Sequence, residues 1–147
     1  MNRADLPAVI HIEQQAIASP WTPAQLQEEL DAPNSLALVA MEGKQLCGYA
    51  FYRTCPPESE LLHMVVDLQH QRQQIGTTLL RQGLDRLLSL GCTDCFLEVR
   101  SSNQGAQLLY THAGFRQTGI RRQYYQQPDE DALVLTMSLV NRSGDRQ

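Results

Sequence analysis

Leu61-Leu62-His63-Met64-Val65-Val66 leads through Asp67-Leu68-Gln69-His70-Gln71-Arg72-Gln73-Gln74 into Ile75-Gly76-Thr77-Thr78-Leu79-Leu80. The first segment is almost wholly apolar, the pattern of a strand buried on both faces. The last begins a helix over residues 75–90, with Leu79, Leu80, Leu84, Leu87 and Leu88 as its apolar stripe. Gly91 stands where a left-handed helix cap is expected. A helix N-terminus carries unpaired backbone N–H groups and a partial positive charge, so a loop feeding one can cradle an anion. Gly76 allows a phosphate to approach closely, and Arg72 adds charge. An ordinary strand-to-helix connection containing one glycine has the same pattern. The loop lacks Gly-Lys-[Ser/Thr] and does not fit a nucleotide-hydrolysing P-loop.

Two helices come before this stretch. Asp5 is placed to cap the first, with Pro7 in its first turn and Val9, Ile12, Ala16 and Ile17 facing a core. Ser19-Pro20-Trp21 breaks it. Thr22-Pro23-Ala24-Gln25 opens the second as a capping box, Leu26 and Leu30 share a face, and Ala32-Pro33-Asn34 ends it. Strands follow at 36–41, 46–53 and 60–66, with a hairpin turn at Glu42-Gly43-Lys44. Pro56-Pro57 is expected to interrupt pairing before the third. After the long helix come a strand at 96–99, a helix at 103–113 closed by Gly114, and strands at 115–125 and 132–139 around a turn at 127–130. The order ααβββαβαββ predicts an α/β fold with a mixed central sheet and a right-handed crossover. One domain is expected over residues 1–140, with 141–147 a polar tail.

Composition narrows the function classes. The 147 residues are 42 % apolar with a net charge of −4, so the basic excess of a general nucleic-acid binder is missing. No apolar run has the length of a membrane span, and the N-terminus has no apolar signal core, which reads as a cytoplasmic protein. Four cysteines are too few for a disulfide scaffold.

Four groups of residues can carry chemistry. The first is the loop already described. The second is Glu98, at the end of the strand after the long helix, where ligands gather in open α/β sheets. It reads either as a base or as a glutamate paired with Arg100 or another cation. The third is Asn103, a plausible N-cap, with Tyr110 two turns on along the same helix face. Tyr110 reads equally as a core residue. The fourth is Cys92-Thr93-Asp94-Cys95. A structural zinc site needs four ligands, and Cys47 and Cys55 form no second pair, so these thiols read as core packing and no metal is expected. His11, His63, His70 and His112 show no ligand spacing.

Together these pieces resemble the GNAT family of N-acetyltransferases, whose phosphate loop follows Gln/Arg-x-x-Gly-x-Gly/Ala. Here Gln74 replaces the first glycine and Gly76 keeps the second. Glutamine is a burden there if the position takes positive φ. The likeness is closer to the RimI-type ribosomal-protein alanine acetyltransferases. It covers nearly the whole chain through His11-Ile12-Glu13-Gln14, Pro20-Trp21, Val66-Asp67, Gln71-Arg72-Gln73, Leu97-Glu98-Val99-Arg100, Ser102-Asn103, Leu109-Tyr110, Gly114-Phe115, Ile120-Arg121-Arg122 and Tyr124-Tyr125. The resemblance implies acetyl-CoA as co-substrate and the N-terminus of a ribosomal protein as acceptor. It implies that Met64, Val65 and Val66 hold the pantetheine arm through their backbone. Arg72, Gln73, Gln74, Ile75, Gly76 and Thr77 would hold the pyrophosphate, and Asn103 would contact the cofactor. Glu98 would be the general base and Tyr110 the general acid, with Trp21 and residues 121–125 shaping the peptide pocket. Another amine acceptor, or a non-catalytic acyl-CoA-binding module, shares the same loop.

Overall fold

The computed structural model describes residues 1–71, 73–126 and 129–140. Helices α1 (Leu6–Ala16) and α2 (Pro23–Asp31) precede strands β1 (Ser35–Glu42), β2 (Gln45–Cys55) and β3 (Glu58–Val66). Then come α3 (Ile75–Ser89), β4 (Asp94–Arg100), α4 (Gln104–Ala113), β5 (Arg116–Tyr125) and β6 (Glu130–Ser138). This is the element order read from the sequence. The expected turn at 127–130 lies partly outside the described residues, and the tail 141–147 lies wholly outside them.

Local chemistry sets the boundaries. The capping box of α2 forms, with Gln25 N–H donating to Thr22 Oγ1 at 3.1 Å and Thr22 N–H to Gln25 Oε1 at 2.8 Å. At the first helix the cap differs from expectation. Asp5 makes no side-chain cap bond. A 3₁₀ turn, Arg3–Asp5, precedes α1, and Asn2 caps that turn by accepting from Ala4 N–H, while Asn2 N–H donates to the Asp5 carboxylate. Pro56-Pro57 also behaves differently. It does not interrupt pairing but is itself the hairpin turn, since β2 and β3 pair up to Cys55 opposite Glu58. Two prolines can stand there because a turn residue owes no hydrogen bond to the ladder.

The sheet has six strands in the order β1-β2-β3-β4-β6-β5, antiparallel except for the β3–β4 pair. Both faces are covered. Alternation along β2 sends Ala50 and Tyr52 to one core, and Tyr49 and Phe51 to the other. The first core takes Leu79, Leu80, Leu84 and Leu87 of α3 and Tyr110 of α4, and the second takes Val9 and Ile12 of α1 and Leu26 of α2. Cys92 and Cys95 lie buried in the first core, as packing thiols do. No described helix is long and apolar enough to cross a membrane.

Two irregularities in β3 place the site. Tyr52 pairs with Leu61 but Phe51 pairs with His63, so Leu62 is an extra, bulged residue. The bulge resets the alternation, which lets Leu61 and Met64 serve the α3 core while Leu62 and Val65 serve the α1 core. Parallel pairing with β4 covers only Glu58–Leu61 against Asp94–Leu97 and stops at that bulge. Beyond it the two strands part.

Gly83 tests the packing of α3. A Cβ there would lie 2.2 Å from the Tyr52 ring, which is fully buried and donates through Oη to Leu79 O at 3.1 Å. Helix propensity alone predicts that Gly83→Ala stabilises by about 1 kcal/mol. The steric conflict reverses the sign, and the expected result is a loss of about 3 kcal/mol, read from urea unfolding midpoints. A more stable variant would contradict this packing.

Candidate active site

The gap between β3 and β4 opens on the α3 side into a cleft of about 550 Å³. Its walls are Met64 and Val66 from β3, His70 and Gln71 from the loop, Gln74, Ile75, Gly76 and Thr77 at the start of α3, and Asn103, Gly105, Ala106, Leu109 and Tyr110 around α4. Gly76 sits at the floor, where a Cβ would meet Leu109, Val66 and Met64 at 3.5–3.8 Å and fill the space. The N–H groups of Ile75, Gly76 and Thr77 donate to no described residue; the first amide of this turn with a partner is Thr78, bonded to Gln74 O at 3.0 Å. From residue 62 to residue 66, β3 has no ladder partner on its β4 side. A narrow apolar trough, a bare strand edge and free helix amides fit an extended chain that ends in phosphates. They are what an acyl-CoA presents.

Gln74 takes φ +62°, the left-handed region, as N-cap of α3. The position that carries glycine in the loop pattern does require positive φ, and a non-glycine residue there costs about 1–2 kcal/mol. Part of this is recovered locally, because Gln74 O accepts from both Thr78 N–H and Thr78 Oγ1 at 3.0 Å. Arg72 lies outside the described residues. The side chain of Gln73 lines a separate groove beside Val39, Met41 and Cys47. Val65 is buried in the α1 core, and neither it nor Gln73 is among the residues that line the cleft. His70 anchors the loop, bonded to Asp67 and Glu42 at 3.2 Å each.

Asn103 caps α4, its Oδ1 accepting from Ala106 N–H at 3.1 Å. Tyr110 is buried in the cleft wall, and its Oη has no hydrogen-bond partner among the described residues. Burial first, and then the neighbouring Tyr125 and Cys95, push its pKa up to about 12. It is therefore a neutral donor throughout the physiological range.

Glu98 belongs to the other face. Leu97 and Val99 fill the α3 core, so alternation turns Glu98 toward the α1 side. Its Oε1 meets Arg121 Nη1 at 2.7 Å, and its Oε2 is buried with no hydrogen-bond partner among the described residues. Arg121 in turn lies 4.1 Å from the Tyr124 ring centre. Arg100, the neighbour suggested by sequence, is engaged elsewhere, with Glu130 at 3.2 Å and over the Tyr125 ring at 4.4 Å. Burial, followed by the charge of Glu98, raises the Glu60 carboxyl above its ordinary range. Glu98 and Tyr110 thus lie on opposite faces of the sheet, and of the two Tyr110 alone lines the cleft.

One cluster was missed by sequence reasoning. Glu13 of α1 has no exposed surface. It accepts from Tyr49 Oη at 2.5 Å, His63 Nε2 at 2.7 Å and Trp21 N–H at 2.9 Å. Trp21 stacks on His63 with centroids 4.4 Å apart. Two signals were present: an acid on the apolar face defined by Val9, Ile12 and Ala16, and a histidine inside an apolar strand. Each looks anomalous alone, and together they form a buried pair.

Two stability predictions follow from these geometries. Gln74→Gly should stabilise by up to about 1 kcal/mol, relief of the strain exceeding the flexibility glycine adds to the unfolded chain, and Gln74→Val should destabilise by about 1–2 kcal/mol; urea titration reads both. For Glu13, burial acts to raise the pKa, but the bonds from His63 and Tyr49, the charge that His63 carries when protonated and Trp21 N–H outweigh it and hold the carboxyl below its ordinary 4.5. Its contribution is complete above that value and is lost as pH falls through the lower folded value. Melting curves of the wild type should therefore weaken from about pH 4.5 downward. Glu13→Gln should be about 3 kcal/mol less stable at pH 7 and flatter in that acid window.

With this geometry in hand, comparison with known proteins is informative. The acetyltransferase (GNAT) family pattern matches residues 6–115. The chain is 34 % identical over 145 residues to the [ribosomal protein bS18]-alanine N-acetyltransferase of Escherichia coli K12, covering 95 % of each protein. It is 36 % identical over 141 residues to the N-alpha-acetyltransferase RimI of Mycobacterium tuberculosis, covering 92 % of this chain and 87 % of that one. The crystal structure of the ribosomal-protein-S18-alanine N-acetyltransferase from Escherichia coli superposes with a TM-score of 0.89 at 33 % identity, over 95 % of this chain and 90 % of that one.

Proposed function

The chain belongs to the GNAT acetyltransferase family, N-acetyltransferases that use acetyl-CoA, and we propose that it acetylates the α-amine of a peptide N-terminus, the N-terminal alanine of ribosomal protein bS18 being the target. The division of the site carries this reading: a cofactor-shaped cleft lined by Tyr110 on one face of the sheet, and Glu98 on the other. Likeness over 95 % of the chain to an enzyme of that specificity supports the choice of acceptor. The catalytic unit is residues 1–140, with 141–147 a polar tail, and the ribosomal target puts its work in the cytoplasm.

In this reading the free amides of Ile75, Gly76 and Thr77, joined by the backbone of Gln73 and Gln74 and the charge of Arg72, hold the pyrophosphate. The bare β3 edge at Met64, Val65 and Val66 holds the pantetheine arm, and Asn103 contacts the cofactor from α4. Acetyl-CoA supplies an activated thioester. The peptide enters on the Glu98 face, between Trp21 and the strand that carries Arg121, Tyr124 and Tyr125. An α-amine has a pKa near 7.7–8.0, so roughly one in ten is already neutral at pH 7, against fewer than one lysine in a thousand. A carboxylate base therefore suffices. Glu98 takes the amine proton while Arg121 stays on its Oε1. Tyr110 Oη donates to the sulfur as it departs on the opposite face.

A peptide beginning with alanine, offered with acetyl-CoA and followed by intact-mass spectrometry, should gain one acetyl group at its α-amine, and the same peptide with a blocked N-terminus and an internal lysine should gain none. Acetylation of the lysine peptide alone would contradict the proposed acceptor. Glu98→Gln should lower kcat by about 10²–10⁴, most severely at low pH, where the amine is protonated. Tyr110→Phe should lower kcat with little change in acetyl-CoA affinity. Full activity in both variants would remove the catalytic assignment.

A further inference from the structure

The Glu13 cluster contains more than a structural tie requires. A buried carboxylate needs its oxygens occupied, and Tyr49, His63 and Trp21 do this. Tyr49 Oη and the Trp21 N–H each give the one hydrogen they have. The imidazole differs. An ionised carboxylate only accepts, so His63 Nε2 carries the hydrogen between them, and in the neutral ring Nδ1 keeps a lone pair. That nitrogen has no partner among the described residues. The His63 side chain keeps 16 % of its surface exposed, and Trp21 fixes its plane, stacked at 4.4 Å with 12° between rings. His63 follows the Leu62 bulge, on the α1 side of the sheet, and Glu98 of β4 faces the same side. An oriented, partly exposed acceptor therefore stands on the same face of the sheet as the proposed base.

We propose that His63, its tautomer set by Glu13 and its plane by Trp21, is a substrate-binding residue whose Nδ1 accepts a hydrogen bond from the α-ammonium of the incoming peptide. The proposal rests on the peptide-acetyltransferase reading above. The ammonium rests on His63 before its proton passes to Glu98, and Tyr49, whose hydroxyl donates to Glu13, supports the ring without touching the peptide.

Two variants separate this role from a purely structural one. In His63→Gln an amide nitrogen can stand where Nε2 stood and still donate to Glu13, but nothing replaces the acceptor at Nδ1. In His63→Asn the amide stands near Nδ1, and the bond to Glu13 is lost. With the alanine peptide, His63→Gln should raise the peptide KM about tenfold, the size of one hydrogen bond to a charged group, with kcat and the acetyl-CoA KM within about twofold. His63→Asn should stay nearer the wild-type peptide KM while melting at a lower temperature. Wild-type peptide KM in His63→Gln, with the defect confined to His63→Asn, would overturn the assignment and leave His63 as a tie between α1 and the sheet. If the wild type acetylates some other amine and never the peptide, the peptide reading falls and this assignment falls with it. If the wild type acetylates the peptide and His63→Gln does so with unchanged KM, only the His63 assignment falls.

Discussion

Four residues of parallel pairing, Glu58–Leu61 against Asp94–Leu97, join the two halves of the sheet, and the chemistry depends on where that pairing stops. It stops at Leu62, an extra residue relative to β2. A bulge bends its strand and sharpens the local twist. The strand leaving it keeps its ladder to β2, from Phe51 opposite His63 to Gly48 opposite Val66, and loses the one to β4. A backbone edge that a closed sheet would hide is thereby left open beside the α3 amides of Ile75, Gly76 and Thr77, which have no partner among the described residues. Had the parallel pairing run on to Val66, the same residues would make a continuous sheet with no gap.

The parting also divides the chemistry between two environments. On the α3 side, Tyr110 lies among buried leucines, which keeps its hydroxyl protonated. On the α1 side, Glu98, Glu60, Arg121 and the Glu13–His63 pair make a polar wall suited to a cation. A direct transfer between two substrates suits this arrangement, in which β3 and β4 lose their pairing beyond Leu61. The acidic members of the wall favour an ammonium over an anion or a neutral alcohol.

Much of this was legible in sequence, for reasons that are local. The α2 capping box, the caps at Gly91 and Gly114 and the stripe of α3 are short-range patterns whose physics acts within a few residues, and each formed where it was read. The burden on Gln74 was also readable, because positive φ is a property of one residue. What escaped was long-range or reciprocal. The bulge at Leu62 is a relation between β2 and β3 that neither strand displays alone. Asp5 makes no cap bond to α1, since its carboxylate accepts from Asn2 N–H within the 3₁₀ turn ahead of that helix. The Glu13–His63 pair joins residues fifty positions apart. Pairing of Glu98 with Arg121 rather than Arg100 follows from sheet order, in which β6 and then β5 lie beyond β4.

In the proposed mechanism the gap between β3 and β4 receives the acyl-CoA. Titrating isotope-labelled protein with CoA while following backbone amide resonances tests this. The largest shifts should fall on Met64, Val65 and Val66 and on Ile75, Gly76 and Thr77, with smaller ones around Asn103. Shifts confined to the outer groove between α3 and β1, near Val39, Met41 and Gln73, with the β3 edge unmoved, would contradict it.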